Sequence, residues 1–111
     1  MTPAAARKLA LSFDGTYERI SKGGPEIRIG GDFFIRIGTR EPDTLQLYIG
    51  SFEERDAMVE AQPELFFITD HFKSYRGLLA RVSTLDAKTL RVLLKQRLRA
   101  IETKNAKKRK R

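Results

Sequence analysis

The chain has 111 residues, 41% of them hydrophobic, a formal net charge of +8, one histidine and no cysteine. That length and apolar content fit one domain with one core. They exclude disulfides, thiolate catalysis and cysteine- or histidine-rich metal sites, so neither a metal nor a cofactor is expected.

Thr2 followed by Pro3 predicts a helix start, a hydroxyl cap and then a proline whose missing N–H costs nothing. "AAARKLALSF" continues it to Phe13, with Leu9 and Phe13 on one inward face. "DGTYERISKGGP" reads as a loop because of its Asp-Gly and Gly-Gly-Pro turns. Three alternating segments follow. "EIRIG" sets Ile27 and Ile29 against Glu26 and Arg28. "DFFIRIGT" sets Phe33, Ile35 and Ile37 against Phe34 and Arg36. "TLQLYIG" groups Leu45, Leu47 and Ile49. Gly30-Gly31-Asp32 and "REPD" at 40–43 supply the turns of a meander.

Ser51 and Glu54 predict a capping box at the start of a second helix that stops at Pro63. "ELFFIT" and "GLLARVSTL" are the fourth and fifth strands. Asp86 caps a last helix, "AKTLRVLLKQRLRAIETK", whose Leu90, Leu94, Leu98 and Ile101 face the body. The order αβββαββα gives a single α+β domain over residues 1–103, an antiparallel sheet with helices packed on it. Residues 104–111 are expected to be a disordered basic tail.

The charge is unevenly placed. "KNAKKRKR" at 104–111 holds six of the 22 Lys and Arg, which leaves sixteen bases against fourteen acids in residues 1–103. No apolar run approaches the roughly 18–20 residues of a membrane span. "MTPAAARKLALSF" is too weakly apolar for a signal peptide, so a cytoplasmic location is expected by default.

No catalytic constellation emerges, and the protein is expected not to be an enzyme. "SKGGPEIRIGGD" lacks the Gly-x4-Gly-Lys-Ser/Thr spacing of a phosphate loop and leads into strands. Glu53, Glu54 and Asp56 lie in a first helical turn, where capping explains them. His71, in "TDHFKSYRG", has no accompanying nucleophile and begins the connection between the fourth and fifth strands; His71 and Tyr75 are groove or structural candidates. Phe13, Phe33, Phe52, Phe66 and Phe67 are at positions expected to be inside; Phe34, Tyr48, Phe72 and Tyr75 are the candidates for exposed stacking groups, with core or hairpin packing as their default.

Lys88, Arg91, Lys95 and Arg99 recur at spacings of three, four and four, a cationic stripe opposite the leucine face. Lys104, Lys107, Lys108, Arg109, Lys110 and Arg111 continue the same sign. With Lys73 and Arg76, these groups are expected to converge on a phosphate backbone, which makes DNA, bound without sequence readout, the expected partner. The alternative is a chaperone-like module whose sheet or last-helix groove takes an unidentified protein or peptide.

"ALSFDGTYERISKGGPEIRIGGDFFIRI", "RDAMVEAQPELFFITDHFKSYRG" and "LLARVSTLDAKTLRVLLKQRLRAI" together resemble the MmcQ/YjbR family in order and spacing, from about Ala10 to Lys104. The chain departs from the family pattern at Leu78–Leu79, where a proline is usual, at Leu98, where a tryptophan is usual, and in its basic end. The resemblance implies a three-layer, secretion-chaperone-like fold of αβββαββα order and a double-wing likeness to DNA-binding domains. It places "HFKSYRG" in the linker between the fourth and fifth strands.

Overall fold

The structure, a computed structural model, describes residues 1–22, 24–38, 43–70 and 73–109. Helix α1 (Pro3–Leu11) begins as expected, with the Thr2 hydroxyl accepting the Ala5 N–H at 3.1 Å. Its inward face is Ala6 and Ala10, both fully buried, while Leu9 and Phe13 pack at the margin of the core. Alanines let α1 approach the last helix closely, where a leucine would hold it off.

Six strands form one sheet: β1 (Thr16–Ser21), β2 (Gly24–Ile29), β3 (Asp32–Ile37), β4 (Thr44–Tyr48), β5 (Phe66–Phe67) and β6 (Gly77–Arg81). Their order is β1-β2-β3-β4-β6-β5 and every neighbouring pair is antiparallel. Helices and strands are mixed, so the α+β class holds, and the predicted elements appear in the predicted order. The stretch read as a loop holds a further strand, β1, paired with β2 from Thr16↔Ile29 to Ser21↔Gly24. β1 is an edge strand exposed along its middle on both faces. It therefore carries no alternation of buried apolar residues, the primary signal by which a strand is read from sequence.

The expected alternation fails in β3. The register shifts between Ile27↔Ile35 and Arg28↔Phe33, which marks a β-bulge. Phe34 and Ile35 are both fully buried, and Phe33 lies on the other side with the Arg36 guanidinium 5.9 Å from its ring. The sequence expectation had Phe33 inside and Phe34 outside; one extra residue in the strand reverses them. Phe34 meets Phe13 edge-on at 5.5 Å.

β4 and β6 are central. Thr44–Leu47 and Gly77–Ala80 are buried at every position, the pattern of strands covered on both faces. Helix α2 (Phe52–Ala61) follows β4, and the Ser51 hydroxyl accepts the Glu54 N–H at 3.1 Å. Phe52, expected inside, is 45% exposed.

Helix α3 (Ala87–Arg109) places Leu90, Leu94 and Ile101 in the core with Leu98 beside them. It does not end at Lys104. Residues 104–109, expected to be a disordered tail, continue the helix, since Lys, Ala and Arg are helix formers and no Gly or Pro intervenes. Lys104 ion-pairs with Asp32 and so ties this part to the sheet.

At the other end of α3, Asp86 Oδ1 accepts the Thr89 N–H at 2.7 Å. The backbone and hydroxyl bonds of Thr89 hold the Asp86 carboxyl below the usual aspartate range. The folded state therefore binds fewer protons at this group than the unfolded chain. Its stabilisation is present above the unfolded value near 3.8 and is lost as pH falls through the lower, folded value. Asp86→Asn keeps an acceptor at the cap. Thermal melts at pH 7 should match wild type, whereas acidification to pH 3 should lower the wild-type midpoint more than that of the variant.

Candidate nucleic-acid interface

α3 sorts its basic residues by side. At about 100° per residue, Lys88, Arg91, Lys95 and Arg99 fall away from the Leu90, Leu94 and Ile101 face. All four are exposed, and among the described residues none has a carboxylate within ion-pairing distance. Glu102 lies on the same side and lowers the surplus by one. Lys107 is also exposed, about two turns beyond Arg99 and rotated roughly 80° from it, off the row. At ~1.5 Å per residue the row from Lys88 to Arg99 spans roughly 16 Å. Nothing is described of the side chains of Lys108 and Arg109, and Lys110 and Arg111 lie outside the described residues.

Lys73 and Arg76 sit elsewhere. Both are exposed on the β5–β6 connection. Lys73 pairs with Asp70 at 3.6 Å, and Arg76 Nη1 donates to the Gly50 carbonyl at 3.0 Å. Buried Arg55 of α2 holds this loop from beneath by donating to the carbonyls of Lys73 and Tyr75. Tyr75, a groove or structural candidate with packing as its default, is 53% exposed. His71 and Phe72 lie outside the described residues.

Arg97, which the sequence reading passed over, is held differently from the stripe. It is on the core side of α3 and donates twice to the Phe33 carbonyl, from Nε at 3.0 Å and Nη2 at 2.8 Å, with its guanidinium 5.3 Å from the Tyr48 ring centre. β3 and β4 pair at Arg36↔Gln46 and Ile37↔Leu45, and the Gly38 N–H donates to the Thr44 carbonyl at 3.0 Å; at the start of β3 it is Arg97 that donates to the Phe33 carbonyl. Burial pulls its pKa below the ordinary arginine value, nearby Asp32 opposes this, and Arg76 adds to the lowering. Arg76 sits on Gly50 and precedes Gly77, the register partner of Tyr48, whose ring lies under Arg97. Arg91, Lys95 and Arg99 lie more than about 100° around α3 from Arg97.

A second charged group was also not anticipated as a unit. Buried Glu26 takes Arg28 Nη1 at 3.3 Å and Arg36 Nη2 at 3.4 Å, and Arg36 also donates to the Ser21 hydroxyl at 2.6 Å. The alternation had placed Glu26 with Arg28; the link to Arg36 needs the strand register.

No group of three or more potential metal-ligating side chains is present among the described residues. A groove of about 480 Å³ runs between the far half of α3 and two turns, lined by Phe13, Ile29, Leu98, Ile101 and Asn105 among others. No described helix is long and apolar enough to cross a membrane. Compared with family models, curated proteins and solved structures, the chain matches none at a significant level.

Proposed function

We propose that the protein binds duplex DNA without sequence selection, laying the outer face of α3 along the phosphate backbone. The observation that carries this reading is the row Lys88, Arg91, Lys95 and Arg99: four exposed cations on one side of a rigid helix, none ion-paired among the described residues. Duplex DNA presents one charge per ~1.7 Å, so a straight cationic row of this length meets many phosphates at once. Phosphate contacts position a protein but carry no base readout. The likeness to the MmcQ/YjbR pattern, whose members are commonly labelled DNA-binding, points the same way.

The test is fluorescence anisotropy with a labelled duplex. Four or five phosphate contacts should weaken binding roughly 100- to 500-fold between 50 and 200 mM salt. Replacing Arg91, Lys95 and Arg99 together with glutamine should reduce the salt slope by about three. A chain truncated after Lys107 keeps the Lys104–Asp32 pair and removes only the last four cations. Binding that survives truncation and fails in the glutamine variant supports the α3 face. The reverse pattern assigns binding to the chain end alone. No binding at 50 mM salt leaves the protein-interaction reading, with the Phe13–Leu98 groove as its site.

A further inference from the structure

The β-bulge in β3 assembles something the sequence does not display. The register pairs Tyr17 with Arg28, Arg19 with Glu26, and Arg28 with Phe33. Directly paired residues share a face, and Glu26 binds both Arg28 and Arg36. Tyr17, Arg19, Arg28, Phe33 and Arg36 therefore lie on one face of β1–β3, around a single carboxylate. Helix contacts identify the other face. Arg7 of α1 ion-pairs with Glu18, and Lys104 of α3 with Asp32. Their sequence neighbours Tyr17, Arg19 and Phe33 point to the opposite side.

This patch combines two chemistries. Three arginines face one carboxylate, which leaves a surplus of positive charge. Arg28 and Arg36 are largely buried, with side chains 18% exposed and Nε atoms shut off from solvent without an acceptor among the described residues, so they supply positive field, and Arg19 is the exposed guanidinium. Tyr17 is 44% exposed, and its hydroxyl is occupied by the Gly30 carbonyl, which fixes the ring. Phe33 is half-buried beside Arg36. A pleated surface with fixed rings and guanidinium groups matches unpaired bases joined by phosphates, because rings and arginine planes stack on any base while the charges follow the backbone. A duplex hides its base faces and cannot use the rings.

We infer that this face of β1–β3 binds a single nucleic-acid strand, with Tyr17 stacking on a base, Arg19 following the phosphates, and Arg28 and Arg36 adding positive field from within the sheet. The surface and the ligand both differ from those proposed for α3, so failure here leaves that reading standing.

The experiment titrates the full chain into labelled oligothymidylate of about 12 nucleotides, within the span such surfaces cover. An abasic deoxyribose-phosphate oligomer of equal length supplies the charge without bases. Wild type should bind the thymidylate roughly tenfold more tightly than the abasic chain. Tyr17→Ala should weaken thymidylate binding by about the same factor and Tyr17→Phe should restore it, since the ring and not the hydroxyl is required. The protein has three tyrosines and no tryptophan, so tyrosine emission reports stacking directly; its quenching by thymidylate should shrink in Tyr17→Ala. Equal affinity for the thymidylate and abasic chains overturns the inference. So does a Tyr17→Ala variant within about twofold of wild type, or no binding in about 50 mM salt.

Discussion

Phe34→Ala should lower the unfolding free energy by about 3–5 kcal/mol, the cost of removing a fully buried aromatic ring and leaving a cavity. Phe33→Ala should cost only about 1–2 kcal/mol, since its ring is half-buried and contributes chiefly through contacts with Tyr48 and Arg36. The two residues are adjacent and identical, so the difference between them isolates the effect of the bulge. Strict alternation predicts the opposite ranking, with Phe33 beside Ile35 and Ile37 in the core. Domains of this size are stable by about 5–15 kcal/mol. The Phe34 loss is thus a large share of the total and is readable as a shifted midpoint in urea titrations. Equal losses from the two variants would count against the register described for β2 and β3.

Glu26→Gln should be comparably damaging, by about 3–5 kcal/mol, because it breaks a buried ion pair and leaves two guanidinium groups without their shared counter-charge. The Glu26 side chain is 7% exposed, and those of Arg28 and Arg36 are 18% exposed, so water screens them poorly. Their remaining partners, the Gly31 carbonyl and the Ser21 hydroxyl, carry no formal charge. Adding Arg36→Met to Glu26→Gln removes one of the two opposed charges and should recover part of the loss. A single-variant cost below about 1 kcal/mol would mean that solvent, rather than Glu26, neutralises the arginines.

The features legible in the sequence are those that repeat at a regular spacing. Leu90, Leu94 and Ile101 gave the buried side of α3, and the same arithmetic gave its basic side. Thr2, Ser51 and Asp86 gave the helix starts, because a short polar side chain before an apolar run has few other roles. Elements without periodicity were hidden. β1 has no buried face to alternate with, and β3 changes phase in the middle, which alternation cannot register. Arg97 and Arg55 resemble surface arginines in one dimension; only the folded chain brings them to the carbonyls they bind. The site was legible to the same extent. The stripe on α3 could be read from its spacing, whereas the arginine face of the sheet is made by residues from three strands in a shifted register.

The two flanks of the sheet are unequal. One is β5, two residues long, too short to template another chain; the other is β1, six residues from Thr16 to Ser21. Any lateral growth into fibrils or swapped oligomers must begin along β1. An antiparallel copy arriving there about a two-fold axis sets a residue against its own twin at the centre, Glu18 on Glu18 or Arg19 on Arg19. Like charges directly opposed disfavour both alignments. The strand that sequence patterning fails to reveal thereby resists the two alignments centred on its own charged residues.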